Sequence, residues 1–451
     1  MNNLPKIELF DIFLALGLLS FIYILVFRFR KKNELQKPLF NLFIIALSAK
    51  VIGAITFVFI SLFYYKNGDT FLYFQIAEDL RNNLFVNYSE TVRTLFTPYS
   101  ELSNINFNPL EKYNYYFERE TSWIFGRIVF FFNLISFGSY LVCSILMAVV
   151  SFLGLWLGYI AMCKLYRNTN KLMLIPFFLI PTALIWSSGI LKDTLIIGLV
   201  GLFLYSFSNI FIFRNNILFS IVSIIVGVYL LQFLKPILLI ILIPYLFFWG
   251  FLYLTKPIKD LLIKVTFRFL VVVLIIGGGY FINQICLDSS SKYRIENALQ
   301  TVKGIQSFHS MDVFSEGQNS YTLGGYTTTP QVIIKKIPEA INVTFFRPYL
   351  WEINNWPMLL GAIESLLLFV AFIYVLVVAK KHFFRAMITN YEVIFMLFFS
   401  FTYSAVIGVS SYNFGALSRY KIPAIMFCSL VLIILCNQTN KVSKSGGKIK
   451  D

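Results

Sequence analysis

Apolar runs of roughly 17 to 25 residues recur along this chain, and each has the length a helix needs to cross a hydrocarbon layer about 30 Å thick. Backbone within lipid must satisfy its own hydrogen bonds, which admits only helices or a closed barrel. Strands of alternating polarity are absent, so the barrel is excluded. Of the 451 residues, 58% are hydrophobic and 13% charged, and the mean hydropathy is +0.74. Soluble domains do not reach such values. The expected fold class is an all-α polytopic membrane protein.

The runs place about eleven spans, over residues 9–27, 39–64, 138–162, 172–187, 194–213, 217–234, 237–255, 266–285, 357–379, 388–410 and 422–437. Basic residues cluster in alternate connections: Arg28 to Lys37, Lys164 to Lys171, Arg214, Lys256 to Lys264, Lys380 to Arg385, and the tail from Lys441 to Lys450. The positive-inside rule makes that side cytoplasmic, with the N-terminus outside and the C-terminus inside. Two long extracytoplasmic loops follow, 65–121 and 286–356. Residues 1–437 read as a single transmembrane domain, and 438–451 as a disordered cytoplasmic tail. WIFGRIVFFFNLISF, residues 123–137, is surplus to the crossings. It is expected as an interfacial helix, anchored by Trp123 with Arg127 reaching headgroups; the alternative is a longer, tilted third span.

The net charge of +16 sits in these short clusters and not on one soluble face, so it reflects topology and points to membrane lipids, not nucleic acid. The five cysteines show no CxxC or metal-like spacing, and no disulfide framework or zinc site is implied. The glycines 277–279 lack a following Lys-Ser/Thr, so they form no phosphate loop.

Polar residues at outer span ends carry what chemistry the sequence offers. In NGDTFLYFQIAEDLRNN, residues 67–83, helical spacing puts Asp69, Tyr73 and Ala77 on one face, with Asp69 either a helix cap or a catalytic carboxylate. In WSSGILKDTL, residues 186–195, Pro176, Pro181 and Gly189 favour a helix break that leaves Lys192 and Asp193 at the interface. An ion pair or a cap would explain them; a waiting anion is the functional alternative. In FFRPYLWEINNW, residues 345–356, Arg347 and Glu352 either pair or bind substrate, and Glu364 lies about two turns into the next span. In SSYNFGALSRYK, residues 410–421, Arg419 and Lys421 either snorkel to lipid phosphate or bind an anion.

This layout resembles the GT-C superfamily of integral membrane glycosyltransferases, which use polyprenyl-phosphate-linked sugars. The likeness lies in a span followed by an outer loop opening with an acid (GDTFLY), an interfacial helix, short-connected spans and a second large outer loop. It covers about residues 37–356. The family often has Asp-Glu where this chain has Asp69-Thr70. SSGILKD, FRPYLWE and NFGALSRY also look like bacterial oligosaccharide repeat-unit polymerases. The resemblance implies transfer from a polyprenyl-phosphate donor to a glycan or lipid acceptor outside a bacterial inner membrane. Asp69 is then the base and Tyr73 positions the sugar. Arg127, Lys192, Arg347 and Arg419 face the phosphate, with Asp193 and Glu352 beside them. A divalent metal ion is left open, since no His or acid cluster demands one. The rivals are a repeat-unit polymerase or ligase, a lipid-linked substrate transporter or flippase, and a purely structural anchor.

Overall fold

The computed structural model describes residues 4–32, 37–104, 120–166, 171–260 and 330–444, with isolated positions between 262 and 323. Helix α1 is Leu9–Lys32, and α2 is Lys37–Phe59, prolonged by a π-helical turn over Ile60–Tyr65. Then come α3 (Asp69–Val86), α4 (Tyr88–Phe96), α5 (Glu120–Ile135), α6 (Tyr140–Leu165), α7 (Pro181–Trp186) and α8 (Lys192–Ser208). The rest are α9 (Ile217–Leu234), α10 (Pro236–Leu254), α11 (Pro330–Phe346), α12 (Trp356–Thr389), α13 (Tyr391–Ser411), α14 (Phe414–Tyr420) and α15 (Ile422–Lys444). The described chain is all-helical, with an isolated β-bridge between Ser320 and Asn413.

Among the described residues, eight helices are long and apolar enough to cross a membrane, and α14 with α15, bent by 56°, would make a ninth span. Expectation and structure part at several places. Residues 172–187 do not form a continuous helix: a π-helical turn, Ile175–Leu179, ends at extended Ile180, and α7 restarts at Pro181. Proline has no N–H and disfavours helical geometry in the residue before it, which is why the chain breaks there. The expected span 266–285 falls largely outside the described residues, as does most of loop 286–356, whose last part forms α11. The described part of loop 65–121, which leaves out 105–119, is largely helical over α3, α4 and a 3-10 turn, Tyr99–Asn104. Helix α15 runs to Lys444, past the expected start of a disordered tail at 438; residues 445–451 lie outside the described ones.

The chain divides into two compact units, where one domain was expected: residues 1–156 with 184–199, and residues 157–183 with 200–451. In the first, α3 and α5 pack closely enough that a Cβ on Gly126 would lie 2.6 Å from Ile76. Trp123 and Phe125 of α5 are buried, and Phe125 meets Tyr73 edge-on at 4.7 Å. Trp123 is therefore no surface anchor: the face of α5 expected to meet lipid instead covers α3. Helix α6 approaches α8 backbone to backbone, with Gly154 against Gly198.

In the second unit α13 is central. Its Phe399 packs on Phe427 of α15 at 4.9 Å and its Phe395 stacks on Trp249 of α10 at 5.2 Å. Its Gly408 faces the Ala340 carbonyl of α11. Thr344 of α11 also donates to the Ser404 carbonyl at 3.0 Å. Small residues allow such close approach where lipid gives no hydrophobic drive between helices.

Gly154→Val has to displace the α8 backbone, whereas a Cβ at Gly17 of α1 meets nothing within 4 Å. Overpacking costs about 1–3 kcal/mol. Thermal unfolding of the purified protein in detergent should show Gly154→Val melting well below wild type and Gly17→Val close to it.

Candidate functional site

Helix α3 begins after Gly68, whose φ of 119° is open to glycine and strained for other residues. Asp69 is the first helical residue and is exposed; Gly68, not Asp69, holds the cap position. One turn further on, about 6 Å along the axis, Tyr73 is buried. At its start α3 is tied to α6, since the Thr70 and Tyr140 hydroxyls lie 2.8 Å apart.

Lys192 opens α8 and extends its ammonium over the Tyr73 ring, 5.3 Å from the centroid. It donates to Thr121 Oγ1 at 3.1 Å and reaches Ser122 Oγ at 3.5 Å, both in the first turn of α5. Asp193 is buried in the first turn of α8, where the helix dipole favours negative charge.

The turn between α7 and α8 that delivers Lys192 is itself buried from Ser187 to Leu191. Its polar groups are satisfied locally. Thr194 Oγ1 and the Leu191 N–H both donate to the Gly189 carbonyl, at 2.7 and 2.8 Å. Ser188 Oγ donates to the Leu184 carbonyl at 2.6 Å. Gly189 is required because a side chain there would overlap the Phe57 ring. Lys50 of α2, 1% exposed, donates to the Ser187 carbonyl and lies 2.7 Å from Ser187 Oγ.

Arg127 sits two turns along α5 from Glu120, half-buried. It donates to the Thr97 carbonyl at 2.5 Å and lies 4.9 Å over the Trp123 ring. Burial lowers its guanidinium to about 10, with Glu120 acting in the opposite direction, so it is cationic at neutral pH. It reaches a carbonyl of its own unit where a lipid headgroup was expected.

The second unit gathers another set. Arg347 Nε donates to both Glu352 carboxylate oxygens at 3.0 Å, and Nη2 donates to Oε1. The guanidinium lies 5.8, 5.7 and 5.3 Å from the Tyr321, Tyr349 and Phe414 ring centroids. Beneath it Ser365 donates to the Arg347 carbonyl at 3.1 Å. Lys421, 1% exposed, reaches Ser365 Oγ at 3.3 Å. Glu364 accepts from the Thr182 N–H at 3.1 Å and its hydroxyl at 2.5 Å. Arg419 lies half-buried on α14, and next to it Lys235 stands 4.2 Å over the Tyr420 ring.

Of the residues singled out from sequence, the structure therefore joins Tyr73 with Lys192, and Arg347 with Glu352. Sequence reasoning missed Thr121, Ser122, Lys235 and Lys50. For Lys50 a signal existed: it is the one charged residue between Phe40 and Tyr65. Among the described residues, no three His, Cys, Asp or Glu side chains gather as a metal site would require. The chain matches no protein-family model, no curated protein and no solved structure.

Burial works to raise the Glu352 carboxyl, but hydrogen bonds from Arg347 and the Tyr349 N–H outweigh it and hold the group below its ordinary 4.5. A depressed carboxylate stabilises the fold above pH 4.5 and loses that contribution as pH falls through the folded value. As pH is lowered from about 5 through the carboxylate range, the melting temperature of wild type should fall more steeply than that of Glu352→Gln. Parallel curves would mean that the pair contributes nothing to stability.

Proposed function

We propose that this chain is a membrane glycosyltransferase. In this reading it moves a sugar from a polyprenyl-phosphate donor to a glycan or lipid acceptor on the extracytoplasmic side of a bacterial cytoplasmic membrane. The observation that carries it is the Lys192 ammonium, held against the Thr121 and Ser122 hydroxyls and over the ring of Tyr73, a residue that follows the exposed Asp69 by one turn of α3. A lipid-linked donor needs a fixed cation for its phosphate, an aromatic face or hydroxyls for its sugar, and a carboxylate for the acceptor's proton. These groups supply each of them.

In the transfer step Asp69 accepts the proton of the attacking hydroxyl as its oxygen bonds to the anomeric carbon. The bond from that carbon to the phosphate oxygen breaks, and the phosphate leaves with the electron pair. Lys192 meets the charge developing there, where a preorganised cation lowers the barrier most. The basic clusters support an outer position for the residues around Asp69 and Lys192 in this reading, the side on which a polyprenyl phosphate would present its headgroup.

In reconstituted membranes with a polyprenyl-phosphate sugar, Asp69→Asn should lose about 10²- to 10⁴-fold in transfer while inserting normally. Lys192→Met should lose about 10²-fold or more. Full activity in Asp69→Asn removes it as the base. Use of a pyrophosphate-linked oligosaccharide in place of the monosaccharide phosphate would move the assignment to a repeat-unit polymerase or ligase. Lipid-linked sugar crossing the bilayer without transfer would move it to a flippase.

A further inference from the structure

Lys50 is costly where it stands. It is the single charged residue of an apolar span and is 1% exposed; a lysine within an apolar span is costly unless it is paired. Among the described residues its ammonium touches one partner, Ser187, through the carbonyl and the hydroxyl. That carbonyl follows the last residue of α7, at a helix end whose acceptors have no intrahelical donor. A cation there meets both an orphan acceptor and the negative end of the helix dipole.

Lys50 does not act alone on this turn. Gly53, one turn on, would bring a Cβ within 2.8 Å of the Leu184 carbonyl and 2.9 Å of Ser188 Oγ. Phe57, a further turn on, fills the space that Gly189 leaves. Residues at i, i+3 and i+7 share one helix face, so a single stripe of α2 holds residues 184 to 189. From Ser187 the chain reaches Lys192 in five residues, stiffened by the Leu191 and Thr194 hydrogen bonds to Gly189. A shift at Ser187 is therefore passed to Lys192.

We infer that Lys50 is a positioning residue: by fixing the Ser187 carbonyl and hydroxyl it sets where the Lys192 ammonium stands against Tyr73 and Thr121. The inference rests on Lys192 being the phosphate-facing group of the proposed transferase, but its test is independent of activity.

In full-length protein in lipid nanodiscs, the rate at which an amine-reactive acetylating ester modifies Lys192 is followed by mass spectrometry, with exposed Lys256 as the internal reference. Loss of the ring and hydroxyl contacts frees the amine, so Lys50→Met should raise the Lys192 rate about three- to fivefold, with Lys256 unchanged. Lys50→Arg, which keeps the cation, should return the rate toward wild type. Ser187→Ala, which keeps the carbonyl, should give a smaller rise in the same direction and serves where Lys50→Met does not fold. Equal rises at Lys192 and Lys256 would mark general loosening and overturn the positioning role, as would an unchanged Lys192 rate in folded Lys50→Met or in Ser187→Ala. A selective Lys192 response in a protein that transfers no sugar would uphold the role of Lys50 and reject the transferase reading.

Discussion

Every polar group of the backbone needs a partner once the chain lies among apolar side chains and lipid, and the segment from Ile175 to Leu191 is where that demand is hardest to meet. Two prolines and an extended Ile180 interrupt its helix. Glu364 accepts the Thr182 N–H in the first turn of α7, and Lys50 donates to the Ser187 carbonyl just past its end. An orphaned buried backbone group costs about 1–3 kcal/mol, and an intramembrane charge a similar amount. Each alone is a liability, and together they largely cancel. Each contact gives a buried polar side chain a backbone partner that the interrupted helix leaves open.

Within the first unit, the position of Lys192 depends on the turn that Lys50 holds. A continuous helix through residues 172–194 would present a smooth apolar surface. The break instead folds residues 187–191 into a buried turn, leaves Gly189 under Phe57 and starts α8 with Lys192 directed at Tyr73. The glycine contacts between α6 and α8 bring backbones together with no side chain between them, so helix packing depends on shape and not on a hydrophobic drive that lipid would not supply.

The spans could be read from sequence because a long apolar run has one outcome in lipid. Residues 172–187 could not be so read: their apolarity says span while Pro176 and Pro181 say break, and the outcome turns on whether distant side chains satisfy the freed groups. Glu364 and Lys50 do so from about 180 and 140 residues away in sequence, beyond any local pattern. Trp123 was misjudged because an amphipathic aromatic helix fits a protein face as well as a lipid surface; α3 offered the protein face. In the candidate site, Lys192 is legible as an unusual charge at a span end, and Tyr73 by its helical spacing from Asp69. Thr121 and Ser122 were not, since hydroxyls are common and only the fold brings them to an ammonium. Arg347 and Glu352, five residues apart, were legible as a pair.

That pair ranks the cations that the proposed transferase could offer to a phosphate. The Arg347 fork is already engaged by Glu352, flanked by the Tyr321, Tyr349 and Phe414 rings and anchored through its own carbonyl to Ser365. Breaking a buried ion pair by removing one partner costs about 3–5 kcal/mol, and somewhat less here because each side chain is about one-fifth exposed, 19% and 20%. A phosphate would have to repay most of that to claim the guanidinium. The hydroxyl and ring contacts of Lys192 are of the kind that, in the proposed transferase, a sugar phosphate can replace with its own oxygens and its apolar sugar face. In the proposed transferase the guanidinium thus holds its turn in shape, while the ammonium is the group assigned to the phosphate.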